Sequence, residues 1–136
     1  MTGNCRIIPE RFSRTRWCSE FQENEPSIIH YLGVTIPVIT HEPAGPHDSD
    51  HKVNFGFGAG LEPSNYGTFE EHFSFQLSED RGMTKMCHIL ITSEEPRHIN
   101  TRAICRPKPG PEVRVVDSDD NDVPTGEPGE MIVRHS

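Results

Sequence analysis

Val53-Asn54-Phe55-Gly56-Phe57, continuing through Gly58-Ala59-Gly60, Pro63, Phe69-Glu70-Glu71-His72-Phe73 and Phe75-Gln76-Leu77, is the stretch that decides the fold. Its first five residues alternate apolar with small or polar side chains, the period of a strand, and the glycines end it. Pro63 is placed to open a helix, because its missing N–H falls where a helix has no internal partner to offer. Phe69 and Phe73, four residues apart, share one face of that helix. Phe75-Gln76-Leu77 reads as a second strand. The order strand, glycine turn, helix, strand predicts an α/β fold with a parallel return and a right-handed crossover. Gly58 and Gly60 at a strand end let the backbone come close to a flat ligand, and Thr84 in the following Arg81-Gly82-Met83-Thr84 turn offers a hydroxyl to phosphate. Plain turns are the competing reading of the same residues.

Working toward the N-terminus, Ser27-Ile28-Ile29-His30-Tyr31-Leu32 is an apolar run of buried-strand length, and Gly33 to Thr40 continues with β-branched residues broken by Pro37, of open type. Residues 5–9 read as a short strand closed by Pro9, then a helix with Ser13 as its cap, Trp17 and Phe21 on one face, and Pro26 as its stop. His41 to Lys52 has the composition of a solvated loop. Toward the C-terminus, Met86 to Ile91 is an apolar run and Ser93 to Thr101 a polar connection. Val113 to Asp117 and Met131 to Arg134 then predict an antiparallel pair around a long Asp-, Pro- and Gly-rich connection.

The chain has 136 residues, room for one domain of ordinary size. Its hydrophobic fraction is 32%, so core material is short. Thirteen Lys and Arg against 21 Asp and Glu give a net charge of −8, which disfavours attraction to nucleic acid phosphates or anionic lipid. No apolar run is long enough to span a membrane and the start lacks a secretion signal, so a cytoplasmic location is expected. Cys5, Cys18, Cys87 and Cys105 form no Cys-x-x-Cys pair and read as reduced structural thiols.

Other constellations carry less. His41, His47 and His51 with Glu42, Asp48 and Asp50 have metal-ligating chemistry, but Pro43, Gly45 and Pro46 leave no regular element to hold a ligand face. Asp117, Asp119 and Asn121 mimic the first calcium ligands of an EF-hand, yet Asp122 stands where glycine must turn the loop and Pro128 where a glutamate is needed. Gly56, Gly58 and Gly60 have the wrong spacing for a dinucleotide fingerprint.

Taken together and in order, these segments resemble the acyl-adenylate-forming superfamily of AMP-forming acyl-CoA synthetases. Phe55 to Gly60 is similar to its adenine loop, Phe69 to Phe73 to the following helix, and Arg81-Gly82-Met83-Thr84-Lys85 to its Tyr-Gly-Met-Thr-Glu motif. Arg106 to Gly110, Val113 to Asp117 and Gly126 to Arg134 resemble the segments that come next, Gly126 to Arg134 most specifically. Arg11-Phe12-Ser13 and Ile28 to Val34 also resemble the crotonobetaine/carnitine-CoA ligase group.

The resemblance implies an α/β fold, with 1–92 a part of the sheet-and-helix layer of the large N-terminal domain and 104–136 a β-rich segment of an adjoining subdomain. It implies that a carboxylic acid is activated with ATP and Mg2+ to an acyl-adenylate and passed to coenzyme A. Gly58, Ala59 and Gly60 would lie along adenine, Arg81 would take the place of a stacking aromatic, Gly82 and Met83 would shape the turn, and Thr84 would bond phosphate as the catalytic hydroxyl. Lys85 stands where the family has its magnesium-binding glutamate, and an ammonium group cannot ligate the ion. The family's lysine-bearing phosphate loop, ribose motif and adenylation lysine have no counterpart here, so a slice of a longer enzyme, inactive by itself, is expected. The rival expectation is a non-catalytic relative that binds nucleotide or a protein.

Overall fold

The computed structural model describes residues 5–83, 87–91, 101, 103, 106–107 and 109–134. A five-stranded sheet runs in the order β1 (Ile28–Leu32), β2 (Phe55–Ala59), β3 (Gln76–Met83), β4 (Cys87–Ile91), β5 (Arg106–Pro107). β1, β2 and β3 are parallel, with Ile28 opposite Phe55 and Phe55 opposite Gln76, while β4 and β5 join antiparallel. This is a mixed α/β architecture, as the order of strand, helix and strand predicts. β6 (Glu112–Val116) and β7 (Glu130–Arg134) form the separate antiparallel pair foreseen in the sequence.

Three helices cover one face of the sheet. In α1 (Trp17–Asn24) the rings of Trp17 and Phe21 pack 4.6 Å apart, and Phe21 meets Phe75 edge-on at 6.3 Å. Glu25 closes this helix in the left-handed conformation, with its N–H on Phe21 O, one residue before Pro26. In α3 (Asn65–Phe73), Tyr66, Phe69 and Phe73 fall on one stripe and are buried. They meet Ile29 and Tyr31 of β1 and Leu77 of β3 in a single core. The segment of open type is α2 (Thr35–Thr40), which buries Ile36 and Ile39. Pro37 is tolerated because it lies in the first turn, whose N–H groups have no partner inside a helix.

Alternation leaves the opposite face of β1 and β2 bare. Ile28, Leu32 and Phe55 are exposed there, and His30 stacks on Phe57 with ring centroids 4.7 Å apart. Parallel sheets are ordinarily apolar on both faces, which accounts for this side-chain choice.

Several expectations are corrected. Residues 5–9 form no strand: Ile7 and Ile8 are exposed and pair with no sheet edge, and a lone extended segment has no ladder to stabilise it. Ser13 does not cap the helix; its hydroxyl lies 3.2 Å from Thr15 Oγ1, and a short 3-10 turn, Arg14–Arg16, precedes α1. Arg81, Gly82 and Met83 are not a turn but the end of β3, paired antiparallel with β4 across an irregularity between Arg81 and Gly82. Pairing with β4 supplies the ladder that keeps these residues extended. Gly58 and Ala59 likewise belong to β2, and only Gly60 lies beyond it. The polar connection at 93–100 lies outside the described residues.

The loop expected to be solvated is pinned at Asp48 and at His51. Asp48 Oδ2 lies 2.6 Å from His72 Nε2 and accepts the Gly45 N–H at 2.7 Å, while Oδ1 accepts the Cys18 S–H at 3.1 Å. His51 donates from Nε2 to Phe73 O at 2.7 Å and accepts the Val53 N–H on Nδ1 at 3.2 Å. The loop is thereby tied to α1 and α3. In the β6–β7 connection Asp117 Oδ1 accepts the N–H groups of Asp119 and Asn121, so the sequence that mimics a calcium loop closes its own turn.

Burial raises the Asp48 carboxyl, but hydrogen bonds from Gly45, Cys18 and His72 outweigh it and hold the group below the usual carboxylate value. A lowered folded value gives stability that is present above about pH 5 and lost as pH falls through it. The urea midpoint of the wild type is expected to drop more steeply than that of Asp48→Asn below about pH 4. Burial, and then the Asp48 carboxylate, push the Cys18 thiol up to about 12. Brief iodoacetamide treatment at pH 8 followed by peptide mapping should therefore modify exposed Cys5 at least roughly ten-fold faster than Cys18.

Candidate functional site

β1 and β2 end side by side while β3 runs on beside them to Met83, and the carboxyl ends of parallel strands are where open α/β sheets place ligands. Ala59 and Gly60 at the end of β2 are exposed, as are Arg81 and Gly82 on the neighbouring β3, whereas Gly58 is buried. Gly58 stands opposite Glu79 in the β2–β3 register and opposite Tyr31 in the β1–β2 register.

Close packing dictates the glycines. A Cβ on Gly58 would sit 2.1 Å from Tyr31 O and 2.7 Å from its ring. A Cβ on Gly33, just past β1, would sit 1.8 Å from Gly60 O, and the Gly33 N–H bonds Ala59 O at 2.8 Å. Gly60 itself has φ +80°, a left-handed conformation that a side chain would strain.

Beneath this corner lies Glu79, 7% exposed. Its Oε1 accepts the N–H groups of Gly60 at 2.8 Å and Leu61 at 3.2 Å, and its Oε2 accepts the Tyr66 hydroxyl at 2.8 Å. Tyr31 donates its hydroxyl to Ser78 O at 3.1 Å, and burial, followed by the neighbouring Tyr66 and Glu79, pushes its phenol upward. The arrangement offers rigid backbone at a strand end, next to the exposed guanidinium of Arg81. Backbone of this kind suits a flat heterocycle.

The family model for AMP-binding enzymes matches residues 1–136. The chain belongs to the AMP-binding enzyme family. A sulfoacetate–CoA ligase of Cupriavidus necator is 23% identical over 133 residues, 97% of this chain and 26% of that protein. A very long-chain fatty acid transport protein of Cochliobolus heterostrophus is 28% identical over 75 residues, 55% of this chain and 12% of that one. A benzoate CoA ligase from Burkholderia xenovorans superposes with a TM-score of 0.82 at 22% identity, over 93% of this chain and 26% of that chain, a likeness of fold. The chain thus spans about a quarter or less of the length of these relatives.

Of the residues singled out in the sequence, Gly58, Ala59, Gly60, Arg81 and Gly82 gather at this sheet end, and Met83 follows in the backbone of β3. Thr84 and Lys85 lie outside the described residues. The sequence reading passed over Gly33, Tyr31, Tyr66 and Glu79. Glu79 had a signal: Phe75, Leu77 and Glu79 are spaced by two, and the first two were already assigned to a strand.

Gly33→Ala is expected to lower the unfolding free energy by about 2–4 kcal/mol in urea titrations, because backbone must move to admit the methyl group. Gly60→Ala, with nothing within 4 Å of the added carbon, should cost only about 1 kcal/mol, from its backbone conformation.

Proposed function

We propose that this chain is part of an AMP-forming acid–thiol ligase, with 1–92 contributing to the sheet-and-helix layer and 104–136 to an adjoining β-rich subdomain, working in the cytoplasm. In the first step a carboxylate oxygen attacks the α-phosphorus of MgATP and the bond to pyrophosphate breaks, leaving an acyl-adenylate. In the second, the coenzyme A thiol attacks the acyl carbon, its proton is lost and AMP leaves. The observation that carries the reading is the exposed glycine corner at the carboxyl ends of parallel strands, in a chain of the AMP-binding family.

Within this proposal the backbone of Gly58, Ala59 and Gly60 runs along the adenine. Arg81 lays its guanidinium plane on the base, a contact that such a group makes with aromatic rings. Gly82 and Met83 lead into Thr84, whose hydroxyl bonds an α-phosphate oxygen as negative charge gathers there. Magnesium enters as part of the substrate MgATP. Among the described residues no set of His, Cys, Asp or Glu is placed to hold the ion, and the oxygens of Glu79 are engaged by protein donors. No step is assigned to a resident metal. Arg11 to Ser13 and Ile28 to Val34 favour the crotonobetaine/carnitine-CoA ligase group among possible substrate classes.

The lysine at 85 and the arginine at 81 favour a second reading, a relative that binds nucleotide without turning it over. Photolabelling with 8-azido-AMP tests both. Saturable labelling of the tryptic peptide 53–81, displaced by ATP, is the expected result, and labelling confined to other peptides overturns the adenine assignment. Competition by ATP that needs magnesium supports the ligase reading. Competition indifferent to magnesium supports the non-catalytic relative.

A further inference from the structure

Burying a carboxylate is costly unless donors surround it, and a charged side chain within a strand ordinarily takes the solvent side. Glu79 is instead drawn inward, with one oxygen shared between two consecutive backbone N–H groups and the other on a tyrosine that projects from α3. The two N–H groups belong to Gly60 and Leu61, the point where the chain leaves β2 in a left-handed conformation. On the other side, the Gly33 N–H donates to Ala59 O, and Gly33 packs against Gly60 with no room for a side chain. The corner is therefore gripped from β1 and from β3 at once, while Ala59 and Gly60 remain open to solvent.

We propose that Glu79 is a positioning residue for nucleotide binding: its carboxylate fixes the Gly60 corner in the shape that receives the base, without touching the nucleotide. This rests on the adenine assignment above and adds to it a residue on the protein side of the corner. The carboxylate faces the interior and its oxygens are occupied by Gly60, Leu61 and Tyr66. A side chain with one suitable acceptor should replace it in part; one with none should release the turn.

The test compares wild type, Glu79→Gln, Glu79→Met and Ile39→Val, the last a mild cavity in α2 away from the corner. Two quantities are read on each full chain: the affinity for AMP by calorimetry, and amide hydrogen exchange of the peptide carrying Gly60 and Leu61. Glu79→Met is expected to speed exchange at the corner and weaken AMP binding by about ten-fold each, with Glu79→Gln within about three-fold of wild type. Ile39→Val should lower the melting temperature and leave both quantities unchanged. Unchanged corner exchange in Glu79→Met overturns the proposal, and so does faster exchange with unaltered affinity. Equal losses in Glu79→Met and Ile39→Val overturn it too, by reducing the effect to general destabilisation. If Glu79→Met does not fold, Tyr66→Phe, which removes one donor to the carboxylate, is read in its place: faster corner exchange together with weaker AMP binding supports the proposal, and either change without the other, or neither, overturns it. Wild type that binds AMP, with variants that bind equally well, sinks the positioning role alone. Wild type that takes up no AMP sinks the adenine assignment and this role with it.

Discussion

A carboxylate inside an aromatic core is the constraint around which the sheet end is arranged. Glu79 follows Leu77 on the inward side of β3, and its desolvation is offset only if donors converge on it. They come from two places that the chain must bring together: the turn after β2 and the first turn of α3. Satisfying one acidic side chain therefore fixes how β2 hands over to α3. Hydrogen bonds to an ionised group are stronger than neutral ones, so a few residues carry a large share of the local order.

Packing works toward the same end by exclusion. Tyr31 lies flat against Gly58, and Gly33 against Gly60, at separations that no side chain would permit. The phenylalanines of α3 fill the space below, with Phe69 and Phe73 rings 4.7 Å apart and Phe69 edge-on to Phe75 at 5.2 Å. Large rings compensate for a small apolar fraction, since each buries more surface than an aliphatic side chain. A second clasp, Asp48 with Cys18 and His72, holds the polar loop to α1 and α3 on the far side of the helices.

Much of this was legible in the residues. The alternation at Val53 to Phe57, the Phe69–Phe73 pair and the run at Ile28 to Leu32 report local periodicity, which burial of one face imposes directly. The C-terminal antiparallel pair was legible for the same reason. Residues 5–9 were misread because a strand also needs a neighbour, and nothing local in Cys-Arg-Ile-Ile-Pro says that none is present. Arg81 to Met83 were misread in the opposite direction: a glycine beside charged residues resembles a turn, and only the pairing of β4 with β3 makes it a strand. Glu79 was missed because a buried acid is recognised by its donors, which lie 13 to 19 positions away in sequence.

The uncovered side of the sheet bears on how the polypeptide behaves outside dilute solution. β1 is the outermost strand of the described sheet, and Ile28, Leu32 and Phe55 stand exposed on its bare face. An unpaired ladder beside an apolar surface invites association between chains. Folding is first order in protein and such association is second order, so the yield of monomeric material on refolding falls as concentration rises. Crowding at synthesis would tip the same competition.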